Sequence, residues 1–298
     1  MDASPYSVSK KKSTTMNNLL FSFNLLADLR VMWQYDFMRH AFEAGTIVAL
    51  VAGVVGYFVV LRRSSFASHA LSHIGFTGAA GAVLLGLNPL LGLLVFTGAG
   101  GVGMALLGRK AESRDVQIGT VLALMLGLGV LFISLYTGYA TEAYSLLFGQ
   151  ILGISVSDVW LTFSVSVALL VAMAIMYRPL LFTSLDQDVA EAKGVPVFAL
   201  GIAFMLVLAI ATSIAVQVIG VLLIFALMIT PAAIAGRLTR RPSRGIALTV
   251  VIALVTTWFG LFASFYLPYP VSFFITSSVF VLYLLAIAVP FVIQKTKQ

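Results

Sequence analysis

The sequence predicts an all-α protein, a polytopic transmembrane helix bundle of about nine spans (eight to ten), and three observations carry that expectation. Only 10% of the 298 residues are charged, 60% are apolar and the mean hydropathy is +1.05. A soluble domain has about 25% charged residues, so this chain cannot cover a water-facing surface and must count lipid as part of its solvent. Apolar runs of about 18 to 25 residues recur along the chain, the length a helix needs to cross roughly 30 Å of hydrocarbon. The basic residues fall in alternate loops, as the orientation of a multi-span protein demands.

Nine runs qualify as spans: 37–61, 66–87, 89–108, 116–138, 157–177, 196–214, 216–236, 245–267 and 271–293. Asn88-Pro89 and the corner Pro268-Tyr269-Pro270 read as tight turns between antiparallel helices, because proline cannot continue a helical ladder. The segment 139–156 is apolar in its middle but too short to span. It reads either as a short interfacial or re-entrant helix, with Gly149 and Gly153 permitting close contact, or as a loop packed on the outer face.

Arg62, Arg63, Arg109, Lys110, Arg114, Arg178, Lys193, Arg237, Arg240, Arg241, Arg244, Lys295 and Lys297 occupy one set of loops and the C-terminal tail. The opposite inter-span loops, around 88, 139–156, 215 and 268–270, hold no basic residue. The positive-inside rule therefore places the first set and the C-terminus in the cytoplasm, and odd parity places the N-terminus outside. The formal charge of +7 is a topology signal on this reading rather than a nucleic-acid footprint. Two regions divide the chain: 1–36, a polar tail and an amphipathic stretch, and 37–293, the transmembrane domain. Met1 to Thr15 is polar with Lys10 to Lys12 and lacks a following apolar core, so a cleaved signal peptide is not expected. Residues 17–35 mix Leu19, Phe23 and Trp33 with Asn24, Asp28 and Arg30, and read as a helix lying in the interface. Were that stretch to cross the membrane, the N-terminus would move inside.

Ionisable groups within a span are costly and point to function. His69 and His73 lie four residues apart, so on a helix both imidazoles share one face. Two neutral imidazoles so placed can ligate one divalent ion; alternatively they hydrogen-bond to backbone on a neighbouring helix. At the head of the first span Asp36, Arg39, His40 and Glu43 share a face. Asp36 and Arg39 read as a charged helix end paired at the interface. Glu43 lies deeper and is the better ligand candidate, with His40 a weaker one. There is no cysteine, which excludes thiolate and iron–sulfur sites. No phosphate-cradling Gly-x-x-x-x-Gly-Lys-Ser/Thr run occurs and no Gly-Lys pair at all, so any ATP hydrolysis belongs to another chain. Nothing resembles a nucleophile elbow or an acid–base carboxylate pair, which makes an intramembrane enzyme the poorer reading.

The largest basic-side loop, 178–196, has helix chemistry in its middle, near 184–195. Ser184 can cap the start, acidic residues follow in the first turns, and Lys193 and Gly194 supply the stop. Val189, Ala190 and Val195 are its apolar contacts. Such a short helix either docks a partner or is a solvated loop helix.

At these motifs the chain resembles the permease subunits of the ATP-binding-cassette zinc and manganese importers. In that family the first span ends in an arginine pair leading to Gly-Asp-x-Leu-x-His, matched here by Arg62-Arg63 and by Ser68-His69-Ala70-Leu71-Ser72-His73. The family's coupling loop, Asp-x-x-x-Ala-x-x-x-Gly, is matched by Asp186, Ala190 and Gly194. A later signature runs here from Val216 through Gly220, Leu222 and Leu223 to Pro231-Ala232-Ala233, and Leu146 to Gly149 is also similar. The likeness covers about 37–293.

The resemblance implies a homodimer with the path at its interface and two cytoplasmic ATPase subunits on the coupling helices. It also implies an extracytoplasmic metal-binding protein and a home in the bacterial inner membrane. No permanently bound cofactor is expected; the transported ion is the cargo, held in transit by His69 and His73, with Glu43 as the third candidate ligand. Where the family carries aspartate this chain has His69, which shifts the expected cargo from manganese towards zinc, with iron as a third choice. The rival readings are an ion-coupled secondary transporter, which would show mid-membrane carboxylates and inverted repeats, and a siderophore or cobalamin permease lacking a paired-histidine site.

Overall fold

The structure is a computed structural model that describes residues 25–107, 114–135 and 149–295. Every regular element among them is helical. The α-helices are α1 (Leu25–Met32), α2 (Asp36–Leu61), α3 (Ser65–Leu84), α4 (Pro89–Leu107), α5 (Arg114–Leu135) and α6 (Val156–Leu185). They continue with α7 (Gln187–Ala192), α8 (Val197–Ile219), α9 (Val221–Leu238), α10 (Pro242–Tyr266) and α11 (Val271–Lys295), and a 3-10 turn covers Ile151–Gly153.

Eight of these, α2, α4, α5, α6 and α8 to α11, are long and apolar enough to cross a membrane among the described residues. The ninth expected span, α3, has the length but carries Ser68, His69, Ser72, His73 and Thr77. It can afford them because most of its residues are buried among other helices and few meet lipid. α2, α8 and α9 form the centre, with α3 wedged against α4, α5, α8 and α9, while α6, α10 and α11 flank the bundle. The outer helices present large apolar side chains outward, among them Leu124, Val130, Val171, Ile175, Val255 and Phe280. Faces of that kind suit hydrocarbon rather than water.

Two turns form as expected. Asn88 Oδ1 accepts from the Leu90 amide at 2.8 Å, opening α4 with Pro89 at its first position. The 268–270 corner joins α10 to α11.

Three boundaries differ from the expected ones. α6 runs through Pro179 to Leu185 instead of ending near 177; proline is tolerated within membrane helices, and in the last turn Ser184 and Thr183 both donate to the Leu180 carbonyl, which keeps their hydroxyls within the helix. Ser184 is therefore inside α6, and the cap of α7 is Asp186, whose Oδ1 accepts from the Val189 amide at 3.0 Å. The break between α8 and α9 falls at Gly220, five residues after the expected position. Gly220 has φ +80, which glycine alone adopts without strain, whereas Ser213 and Gln217 stay helical.

Gly149 lies against that break. A Cβ there would stand 2.4 Å from the Ile219 carbonyl carbon, so Gly149 does serve close contact, while Gly153 meets only Gln150. Of the 139–156 segment, residues 139–148 lie outside the described residues, and its described end carries the 3-10 turn Ile151–Gly153 before α6 begins at Val156. The polar tail, Arg109, Lys110, Lys297 and residues 17–24 of the amphipathic stretch also lie outside the described residues. The described part of that stretch, α1, is about 12 Å long at 1.5 Å per residue, too short to cross.

Candidate metal-binding site

α3 begins where the α2–α3 turn delivers it. The Arg62, Arg63 and Ser64 amides donate to the carbonyls of Phe58, Val60 and Val59, and Arg63 takes the left-handed conformation, φ 53. Three hydroxyls of α3, those of Ser68, Ser72 and Thr77, are occupied. Ser68 Oγ donates to Met228 Sδ at 3.3 Å, Ser72 Oγ to the Ser68 carbonyl, and Thr77 Oγ1 to the Met125 carbonyl at 2.6 Å. The bonds to Met228 and Met125, which reach other helices, set the rotation of α3 about its axis, and the rotation decides where His69 and His73 point.

Both imidazoles lie on the less buried side of α3. Their ring centroids are 4.7 Å apart, nearly perpendicular at 81°, and His69 packs edge-on to Phe225 of α9 at 5.0 Å. No hydrogen bond to either ring occurs among the described residues, so the alternative of a structural bond to neighbouring backbone has no support there. A ring separation of 4.7 Å is compatible in length with one ion bound at about 2 Å from a nitrogen of each ring.

The other candidates are placed elsewhere. Among the described residues no group of three or more His, Asp or Glu gathers around a point, so one chain offers two nitrogens and no third ligand of those types. Glu43 is exposed and lines a groove of about 690 Å³ with Arg30, Trp33, Thr46 and Trp258. Along α2 it lies about 27 Å from the basic end, whereas His73 lies about 12 Å into α3. The structure thus does not bring Glu43 to the histidines. Asp36 and Arg39 form the expected exposed ion pair, 2.8 Å, and His40 follows them half-buried.

At the basic end α7 is held between two defined boundaries. Asp186 both ends α6 and caps α7. Ala190 is fully buried beneath the helix, and Gly194, at φ +80, closes it as the Gly194 and Val195 amides bond back to Glu191 and Ala190. The three motif positions are thus the cap, the packed face and the stop. Beside α7 is a cavity of about 740 Å³ lined by Arg62, Arg63, Thr183, Gln187, Glu191 and Phe204, which brings the ends of α2 and α6 and the start of α8 together.

Phe225 and Met228 border the histidine helix without having been signalled by sequence. Both look like ordinary apolar residues of α9, and only the α3–α9 packing gives them a role. A polar contact at the opposite end, Gln217 Nε2 to Asp158 Oδ1 at 3.2 Å, was likewise unmarked; Asp158 also belongs to the capping box that opens α6.

Comparison with known proteins places the chain in a family. The ABC 3 transport family matches residues 34–290. The manganese transport system membrane protein MntC of Listeria monocytogenes is 33% identical over 238 residues, 80% of this chain and 85% of that protein. The manganese import system permease protein ScaB of Streptococcus parasanguinis is 34% identical over 203 residues, 68% and 72% of the two chains. Among solved structures, PsaBC from Streptococcus pneumoniae in complex with Fab superposes with a TM-score of 0.78 at 28% identity, covering 88% of this chain and 94% of that one. An inward-facing metal-chelate-type ABC transporter shares the fold at 14% identity, TM-score 0.67. With the paired histidines on α3, the capped α7 and a family match spanning nearly the whole bundle, this multi-pass membrane protein belongs to the ABC 3 transport family.

Proposed function

We propose that this chain is the permease of an ATP-driven importer of a divalent transition metal ion, and that His69 and His73 hold the ion in transit. The observation that carries the reading is the pair of imidazoles, 4.7 Å apart and without hydrogen bonds among the described residues, on the less buried face of α3. Membrane-embedded histidines without a structural partner are costly unless they serve a passing ligand. Two ligands suit transit: a site that must release its ion gains from incomplete coordination.

A second copy would complete the path. The less buried face of α9 next to His69 runs through Phe225, Ala226, Ile229, Thr230, Ala233 and Gly236, with nothing within 4 Å of a Cβ at Gly236. Small residues at helical spacing let membrane helices approach closely. Two copies meeting there would present four imidazoles to one axis, a number that suits tetrahedral zinc. α7 would dock a cytoplasmic ATPase subunit, with the basic loops on that side and the C-terminus in the cytoplasm of a bacterial inner membrane. An external metal-binding protein would deliver the cargo.

Manganese and zinc are supported by different observations. The relatives' names speak for manganese; His69, an imidazole where the family motif has a carboxylate, speaks for zinc. Reconstitution of the chain with its ATPase subunits in liposomes tests the reading. Uptake of radiolabelled zinc or manganese that requires ATP is expected; ATP-independent uptake driven by a proton or sodium gradient would support the secondary-transporter reading instead.

A further inference from the structure

Arg62 belongs to neither the metal pair nor α7, yet it joins the parts of the chain that carry them. Its Nη1 donates to Thr183 Oγ1 at 2.9 Å, and its guanidinium carbon lies 5.3 Å from the centroid of Phe204 on α8. Thr183 and Phe204 are both buried, so the guanidinium is held at the meeting point of α2, α6 and α8.

Both sides of this contact lead onward without slack. Thr183 lies in the last turn of α6, three residues before Asp186, and Asp186 is at once the end of α6 and the cap of α7. On the other side Arg62 closes α2, and Ser64 opens α3 five residues before His69. The intervening turn is locked by three backbone hydrogen bonds and by the left-handed Arg63, a conformation disfavoured for any residue with a Cβ. α3 itself packs on α4, α5, α8 and α9 rather than on α6. One hydrogen-bonded route from α7 to the histidine helix passes through Arg62 and Thr183, alongside the packing of α8 on α3.

Resting on the function proposed above, we infer that the Arg62–Thr183 contact is the tie that transmits displacement of α7 to α3, making Arg62 a positioning residue for the metal pair. The chemistry suits the task. A charged donor on a hydroxyl is stronger and shorter than a neutral pair, and the planar guanidinium stacks and bonds at once. The 740 Å³ cavity beside it leaves room for the end of α6 to move. A tie is needed at a junction of this kind because coupling between sites travels through contiguous contacts that two arrangements can share.

The test is the ratio of metal moved to ATP hydrolysed, measured in liposomes with the complete complex and radiolabelled manganese and zinc. Arg62→Ala and Thr183→Val are each expected to keep assembly and ATP hydrolysis within about twofold while the ratio falls about tenfold, within the usual range for coupling between sites. The double variant should be no worse than the poorer single one, and Arg62→Lys, which keeps charge and donor, should recover part of the loss. A wild-type ratio in Arg62→Ala, a parallel loss of assembly and hydrolysis, or independent losses that multiply in the double variant would overturn the tie. Absence of ATP-driven uptake by the wild-type complex would overturn the functional reading and the tie together, so the two failures are distinguishable.

Discussion

Gly78 of α3 and Gly92 of α4 meet backbone to backbone: a Cβ added at Gly92 would stand 2.0 Å from the Gly78 carbonyl oxygen, and one at Gly78 would stand 2.2 Å from that of Gly92. In lipid, helices associate through packing rather than through release of water, so close approach at small residues carries much of the stability. This crossing holds α3 in the register that presents its histidines.

Gly92→Ala should therefore lower the thermal midpoint in detergent, by overpacking worth about 1–3 kcal/mol. Gly98→Ala, where a Cβ has open space, should change little. Equal midpoints for the two variants would show that the crossing is not close.

A second prediction concerns α7. Asp186→Ala removes the acceptor for the Val189 amide and should cost about 1 kcal/mol of local helix stability, seen as faster hydrogen exchange over 187–192, while Asp186→Asn should retain protection. Ala190→Asp places a charge at a fully buried position and should prevent ATPase docking without unfolding the spans. Docking that survives Ala190→Asp would move the coupling surface away from α7.

Orientation gives a third prediction. The chain has no cysteine, so single introduced thiols report cleanly. Tyr269→Cys in the exposed α10–α11 turn should react with an impermeant thiol reagent from outside the cell, and Arg241→Cys should not. The reverse labelling would place the basic loops outside.

The histidine pair was legible in the sequence because its geometry is local: four residues on one helix put both rings on one face whatever the rest of the fold does. The spans were legible for the same reason, and α2 matches the 37–61 run to within a residue. What failed depends on distant contacts. Ser184 looked like a cap until α6 continued through Pro179 and left Asp186 at the boundary. The α8–α9 break settled on Gly220, where positive φ is free, and not at the charge-free point near 215. Glu43 shares a sequence neighbourhood with the first span, but its depth along α2 separates it from His73. Arg62 and Thr183 are 121 residues apart, and no local pattern announces that they touch.

On the proposed function, metal preference should follow from the chemistry at one position. Replacing the His69 imidazole by a carboxylate in His69→Asp should retain some transport and raise the manganese-to-zinc uptake ratio, since oxygen ligands suit manganese and imidazole suits zinc. Glu43→Gln and His40→Ala should leave that ratio unchanged. A shift in preference from Glu43→Gln would return that residue to the metal path.

The most direct measurement is uptake of radiolabelled zinc and manganese by the His69→Ala, His73→Ala double variant, normalised to its level in the membrane. Loss of uptake of both ions with unchanged membrane level and ATPase assembly is the predicted result. Uptake at the wild-type rate would contradict the account and place the path elsewhere in the bundle.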